Sequence, residues 1–87
     1  MIDEFINYII KNKMPIRLLS MPPISNGSVY LKESEKNYKT VCNFFYNSAD
    51  KILYISKTDE KMFLENGLDA AIEYLNLLIQ ETKNENA

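Results

Sequence analysis

The stretch that decides the fold is Tyr38–Lys57, YKTVCNFFYNSADKILYISK, in which two apolar runs flank a polar break. The first run, 38–46, and the second, 51–56, are rich in Tyr, Phe, Val and Ile, which favour β-strands. Asn47–Asp50 between them consists of residues typical of turns. The pattern therefore predicts a β-hairpin.

Further strands are predicted on both sides of this hairpin. Upstream, Val29–Glu33 is a short apolar run, and the polar segment Ser34–Asn37 separates it from the hairpin. Downstream, Lys61–Leu64 is compatible with a short strand or a single helical turn. We therefore expect an antiparallel meander of three or four strands.

Period-two alternation predicts which side chains of the meander face the core. On the middle strand, one face carries Tyr38, Thr40, Cys42, Phe44 and Tyr46, and the other carries Lys39, Val41, Asn43 and Phe45. We expect the face with Cys42 and Phe44 to be buried. The far side of the sheet is then predicted to carry Tyr30, Lys32, Phe45, Ile52 and Tyr54.

Helices are predicted at both ends of the chain, where apolar residues recur every three or four positions. The first helix should end near Asn12, and its apolar stripe is Ile2, Phe5, Ile6, Ile9 and Ile10. The second should begin at Asn66, or at Thr58 with an interruption at Gly67. Its apolar stripe is Leu68, Ala71, Ile72, Leu75, Leu78 and Ile79.

The segment Pro15–Ser28 contains three prolines and the pair Asn26-Gly27, which predicts an extended connector with a turn. Residues 1–87 are then expected to form one small domain, because chains of this length rarely divide. The expected fold class is α+β. Its architecture is a two-layer sandwich with an N-terminal helix, a three- or four-stranded antiparallel meander and a C-terminal helix.

Charge divides the chain into two parts. Residues 32–57 carry five Lys against three carboxylates, whereas residues 58–87 carry seven carboxylates against two Lys. The overall charge of −2 and the pI near 5.0 argue against a protein that wraps duplex DNA. This division predicts a surface with a basic and an acidic side.

Residues that carry chemistry are sparse, so we expect no catalytic residue, no cofactor and no metal site. The chain has no His, and its single Cys42 lies on the predicted core face, where desolvation suppresses the thiolate. Asp59, Glu60 and Glu65 do not have the spacing of a calcium loop or of a helical ligand pair. The hypothesis is a protein that is not an enzyme.

The functional hypothesis is a small cytoplasmic protein that binds another protein. A lone cysteine is typical of a reducing compartment, and the Asn-, Lys- and Ile-rich composition suits a phage or mobile-element inhibitor or regulator of a host protein. We expect the partner to bind the sheet face with Tyr30, Lys32, Phe45 and Tyr54, because Phe44 and Phe45 point to opposite sides and only one side meets the helices. The alternative is a single-stranded RNA or DNA module that uses the same basic, aromatic face.

A second surface is predicted on the C-terminal helix. Ala70, Tyr74 and Leu77 form an additional apolar line beside the core stripe. Either the first helix or another subunit is expected to cover this line. The second option predicts a homodimer.

Overall fold

The computed structural model describes residues 2–57 and 59–85 of the 87-residue chain. It has an N-terminal helix, an antiparallel sheet and a C-terminal helix, so the α+β expectation is confirmed. The elements in chain order are α1 Ile2–Lys11, β1 Ile16–Met21, β2 Ile24–Lys32, β3 Tyr38–Asn47, β4 Ile52–Ile55, β5 Glu60–Phe63 and α2 Leu64–Asn84.

The sheet has five strands in the order β1-β2-β3-β4-β5, rather than three or four. The added strand comes from Pro15–Ser28, which is a hairpin and not a connector, because Ile16 pairs with Val29 and Met21 pairs with Ile24. Proline composition was misleading here, since Pro15 precedes β1 and Pro22 and Pro23 form its turn. The prolines flank an apolar run and do not interrupt it. β5 confirms the strand option for residues 61–63.

Helix α1 packs its apolar stripe into the core. Phe5 and Ile9 are fully buried, whereas Ile10 is exposed. After Lys11 the chain leaves the helix through Lys13, which has a left-handed φ of 58°. The Met14 amide donates to the Ile9 carbonyl at 3.2 Å, so the end of the helix is capped by its own backbone.

Helix α2 begins at Leu64, two residues before the predicted start at Asn66. Leu64 is buried against the sheet, and its amide donates to the Lys51 carbonyl at 3.1 Å, which fixes the start there. Gly67 has a non-helical φ of −133° and marks a kink. The apolar stripe then packs on the sheet as predicted, through Ala71, Leu75, Leu78 and Ile79.

A β-bulge at Val41 divides β3 into two parts. Val29 pairs with Cys42 and Tyr30 pairs with Thr40, so Val41 is an extra residue that has no partner on β2. Cys42, Phe44 and Tyr46 face the helices, as predicted.

The predicted faces of residues 38–41 are wrong, because the extra residue reverses the alternation. Val41 is fully buried, and Lys39 reaches Glu85 beyond the end of α2. Tyr38 and Thr40 lie on the exposed side.

Gly27 allows β1 and β3 to approach β2 closely. A Cβ atom at this position would overlap the Arg17 carbonyl oxygen and would lie 3.0 Å from the Phe44 ring. The Phe44 ring also meets the Phe5 ring edge-on at 5.9 Å. Position 27 therefore has to be glycine for the Arg17 carbonyl and the Phe44 ring to pack this closely against β2.

Candidate partner-binding face

The sheet has one face that the helices do not cover, which we call the open face. The registers of neighbouring strands place its side chains in rows that cross the sheet. One row across all five strands is Leu19, Asn26, Phe45, Tyr54 and Lys61. The adjacent row is Met21, Ile24, Asn47, Ile52 and Phe63.

Five large apolar side chains of these two rows form an exposed cluster, which we call the apolar patch. Their exposed fractions are 58% for Leu19, 69% for Met21, 39% for Phe45, 38% for Tyr54 and 52% for Phe63. Ile52 lies between them and is only 9% exposed, so it belongs to the floor of the patch. Asn26 and Asn47 lie in these rows between the β1 side chains and the others, and an exposed apolar group of this kind is a common feature of interaction sites.

The four side chains predicted to bind a partner all lie on the open face, but in two separate groups. Phe45 and Tyr54 are direct cross-strand partners within the apolar patch. Tyr30 and Lys32 pair with Thr40 and Tyr38 toward the other end of β3. At about 3.3 Å per residue, the two groups lie roughly 15 Å apart along the strand.

The sequence does not predict three of the patch residues. Leu19 and Met21 belong to β1, where the prolines predict a connector, and Phe63 belongs to β5, where the sequence predicts either a short strand or a single helical turn. The only signal for the first two is that Ile16–Met21 is a mostly apolar run. The neighbouring prolines outweigh that short run in a prediction from sequence.

The strand residues on the open face include only basic charged side chains. These are Arg17, Lys32 and Lys61, and no Asp or Glu occupies an open-face strand position. The Lys61 ammonium lies 5.4 Å from the centre of the Phe63 ring, within cation–π range. Since the whole chain carries −2, the rest of the molecule is acidic.

The salt bridges among the described residues involve other lysines. Lys51 contacts Glu65 at 2.7 Å, and this hydrogen bond raises the pKa of Lys51. Lys39 and Lys57 contact Glu85 at 3.1 and 3.5 Å. The hydrogen bond from Lys39, followed by the charge of Lys57, lowers the pKa of Glu85.

Cys42 is buried on the opposite face of the sheet, so the prediction of its burial is confirmed. Burial raises the pKa of its thiol to about 11, and the charge of Lys57 opposes this only in part. Within residues 2–57 and 59–85, no group of three His, Cys, Asp or Glu side chains could hold a metal ion. Asp59, Glu60 and Glu65 therefore do not form part of such a cluster.

The line Ala70, Tyr74 and Leu77 lies beside a groove between α2 and β5. Together with Met62, it borders a cleft of about 480 Å³. Leu77 is 52% exposed and Ala70 is also exposed, whereas Tyr74 is half-buried. Helix α1 meets α2 at Asn76, whose side-chain oxygen accepts a hydrogen bond from Tyr8 at 3.0 Å, so α1 leaves much of the line uncovered.

Comparison of the chain with protein-family models, curated proteins and solved structures finds no match. Neither α1 nor α2, as far as the structure describes them, has the length and apolar character needed to cross a membrane. A function is therefore inferred from the open face itself.

Proposed function

We propose that the chain is a small, non-catalytic intracellular binding protein that acts by occupying a surface of a partner protein with its open face. The observation that carries this proposal is the apolar patch, in which five large side chains remain exposed on one sheet face. Full burial of a Phe or Leu side chain is worth roughly 1.5–3 kcal/mol, and each partly exposed side chain of the patch forgoes a part of that free energy. A partner that covers the patch recovers that free energy.

The arrangement of the open face matches the anatomy of protein interfaces. Apolar and aromatic side chains make up most of the patch, Arg17 lies in the adjoining row, and Lys61 lies at the β5 end of the row that contains Phe45. Stable interfaces have an apolar core and a polar rim, and aromatic residues and Arg are enriched in them. Phe45 lies centrally, on the middle strand, so we expect it to contribute most to binding.

The charge of the open face specifies the complementary surface. Because Arg17, Lys32 and Lys61 are the charged open-face residues of the strands, the favoured partner presents an apolar centre with carboxylates around it. The same cations repel a basic surface. A regulator that acts by covering an acidic, partly apolar site on its target fits this pattern.

A single-stranded nucleic acid is the second candidate, supported by Tyr30, Tyr38 and Lys32 at the far end of the open face. Stacking of bases requires flat rings. The two rows that contain the apolar patch also hold the aliphatic residues Leu19, Met21, Ile24 and Ile52. These aliphatic residues suit side chains of a protein better than nucleobases.

The test compares Phe45→Ala with Leu77→Ala, a matched removal of an exposed apolar side chain on α2. A partner is first captured with the wild-type chain, then purified and titrated against both variants at low and high salt. We expect Phe45→Ala to weaken binding by roughly 2 kcal/mol or more, the scale of an interface hot spot, and Leu77→Ala to leave it unchanged.

Two outcomes would contradict the proposal. Equal affinities of wild type and Phe45→Ala would place the interface elsewhere. A captured nucleic acid whose affinity falls steeply with salt would favour the second candidate, because counterion release makes such binding strongly salt-dependent.

A further inference from the structure

The sheet has two edge strands, β1 and β5, and they differ in how they are protected. Edge strands expose unpaired backbone groups that can pair with another chain, and proteins protect them with short length or charged side chains. β5 is only four residues long and includes Glu60 and Lys61. It is therefore protected in the usual way.

Strand β1 lacks this protection. It has six residues, IRLLSM, of which only Arg17 is charged. Leu18, Leu19 and Met21 are 44%, 58% and 69% exposed. An apolar edge of this length favours pairing with a further strand.

The hydrogen-bond register shows which backbone groups of β1 are available. The Tyr30 amide donates to the Pro15 carbonyl at 2.9 Å, and bonded pairs in an antiparallel ladder occur at every second residue. Arg17, Leu19 and Met21 therefore direct their backbone groups toward β2. The backbone groups of Ile16, Leu18 and Ser20 point away from the sheet.

We propose that β1 pairs antiparallel with β1 of a second copy of this chain, about a two-fold axis at Leu18. Ile16 of one copy then pairs with Ser20 of the other, and Leu18 pairs with itself. All three outward residues are paired in this register, because they are spaced symmetrically about Leu18. The two sheets become one continuous ten-stranded sheet.

The side chains of β1 also favour pairing with a second copy of the chain in this register. Arg17 lies opposite Leu19 of the second copy, so its aliphatic stem covers an exposed apolar side chain. The two Leu18 side chains meet on the face that bears the helices. A shift of the axis to Arg17 would place two like charges directly opposite each other, which is destabilising.

Sedimentation equilibrium from micromolar to millimolar concentration tests the association, with Leu18→Lys as the disruptive variant. Lys at the axis places two ammonium groups opposite each other but keeps the backbone donors of β1. We expect the wild type to approach twice the chain mass of 10.1 kDa, and Leu18→Lys to raise the dissociation constant by about tenfold or more.

Amide hydrogen exchange provides a second readout that needs no substitution. The amides of Ile16, Leu18 and Ser20 should gain protection as the concentration rises. Those of Arg17 and Leu19, already bonded to β2, should change little. Tyr74→Asp is the matched control, because it disrupts the line on α2 where the sequence had suggested a dimer.

A single 10.1 kDa species at millimolar concentration would overturn the proposal. So would a dimer that survives Leu18→Lys, or one that dissociates with Tyr74→Asp while the Leu18 amide stays unprotected. The open-face interaction is tested separately with Phe45→Ala. Failure of one idea therefore does not imply failure of the other.

Discussion

Phe44 and Phe45 are adjacent in β3, and their side chains point to opposite faces of the sheet. Phe44 is 2% exposed and packs edge-on against Phe5, whereas Phe45 is 39% exposed and lies beside Tyr54 on the open face. Alternation along a strand makes this separation unavoidable. One aromatic ring supports the core, and its neighbour is available to a partner.

Substitution of these two residues should affect stability and binding in opposite ways. We expect Phe44→Ala to lower the free energy of unfolding by about 3–5 kcal/mol, because it leaves a cavity under α1. Phe45→Ala should cost clearly less stability and most of the partner affinity. Urea denaturation of both variants measures the first effect, and equal losses of stability would show that Phe45 is part of the core.

The two glycines should respond differently to alanine. At Gly27, a Cβ atom overlaps the Arg17 carbonyl, so we expect Gly27→Ala to destabilise the fold by roughly 1–3 kcal/mol and to loosen β1. At Gly67 no atom lies within 4 Å of the new Cβ, and reduced chain entropy should stabilise by about 0.4–1 kcal/mol. Thermal melts of the two variants check both signs. A neutral Gly27→Ala would mean that β1 is not held closely against β2.

Cys42 should make the free energy of unfolding depend on pH in the alkaline range. Burial raises its folded-state pKa from 9.0 to about 11, so the unfolded chain releases its proton first. The stabilising contribution is complete below pH 9 and is lost as pH rises toward 11. Denaturation curves across this range should be less pH-dependent for Cys42→Ala than for the wild type.

The thiol of Cys42 should also resist labelling in the folded protein. Only unfolding should expose it to a thiol reagent, since the side chain is 1% exposed. Rapid stoichiometric labelling under native conditions would contradict the assignment of the two faces.

Glu85 should titrate below an ordinary glutamate. Its pKa is lowered mainly by the hydrogen bond from Lys39, so the interaction is present at neutral pH and is lost as the solution is acidified through that lowered value. Carboxyl chemical shifts followed by NMR should show this. Lys39→Met should return the pKa of Glu85 toward 4.5 more than Lys57→Met does. An equal effect of the two variants would show that Lys39 has no special role.

Periodicity along the chain predicted both helices and the central hairpin, because burial of one face imposes a repeat that a sequence shows directly. Periodicity failed where features without a sequence repeat determine the structure. The prolines near β1 give that segment the composition of a loop, although they only flank a strand. The extra residue at Val41 left no local trace, since a bulge depends on pairing with β2.

The candidate site was predicted in part for the same reasons. Phe45 and Tyr54 lie on strands whose alternation is long enough to assign their faces. Leu19 and Met21 depend on a strand that was not predicted, so the patch was underestimated. Tyr30 and Lys32 lie apart from Phe45 and Tyr54 because of the strand register, which sequence spacing alone does not specify.

The bulge at Val41 also predicts how this gene tolerates loss of a codon. Deletion of Val41 would remove the bulge and restore strict alternation, with Lys39 still on the helix-bearing face and Tyr38 still on the open face, so its cost would be the loss of a fully buried side chain from the core. An in-frame deletion in the 33–37 turn would shorten only a surface loop. We therefore expect length variation among natural variants to occur in that turn and not inside β3.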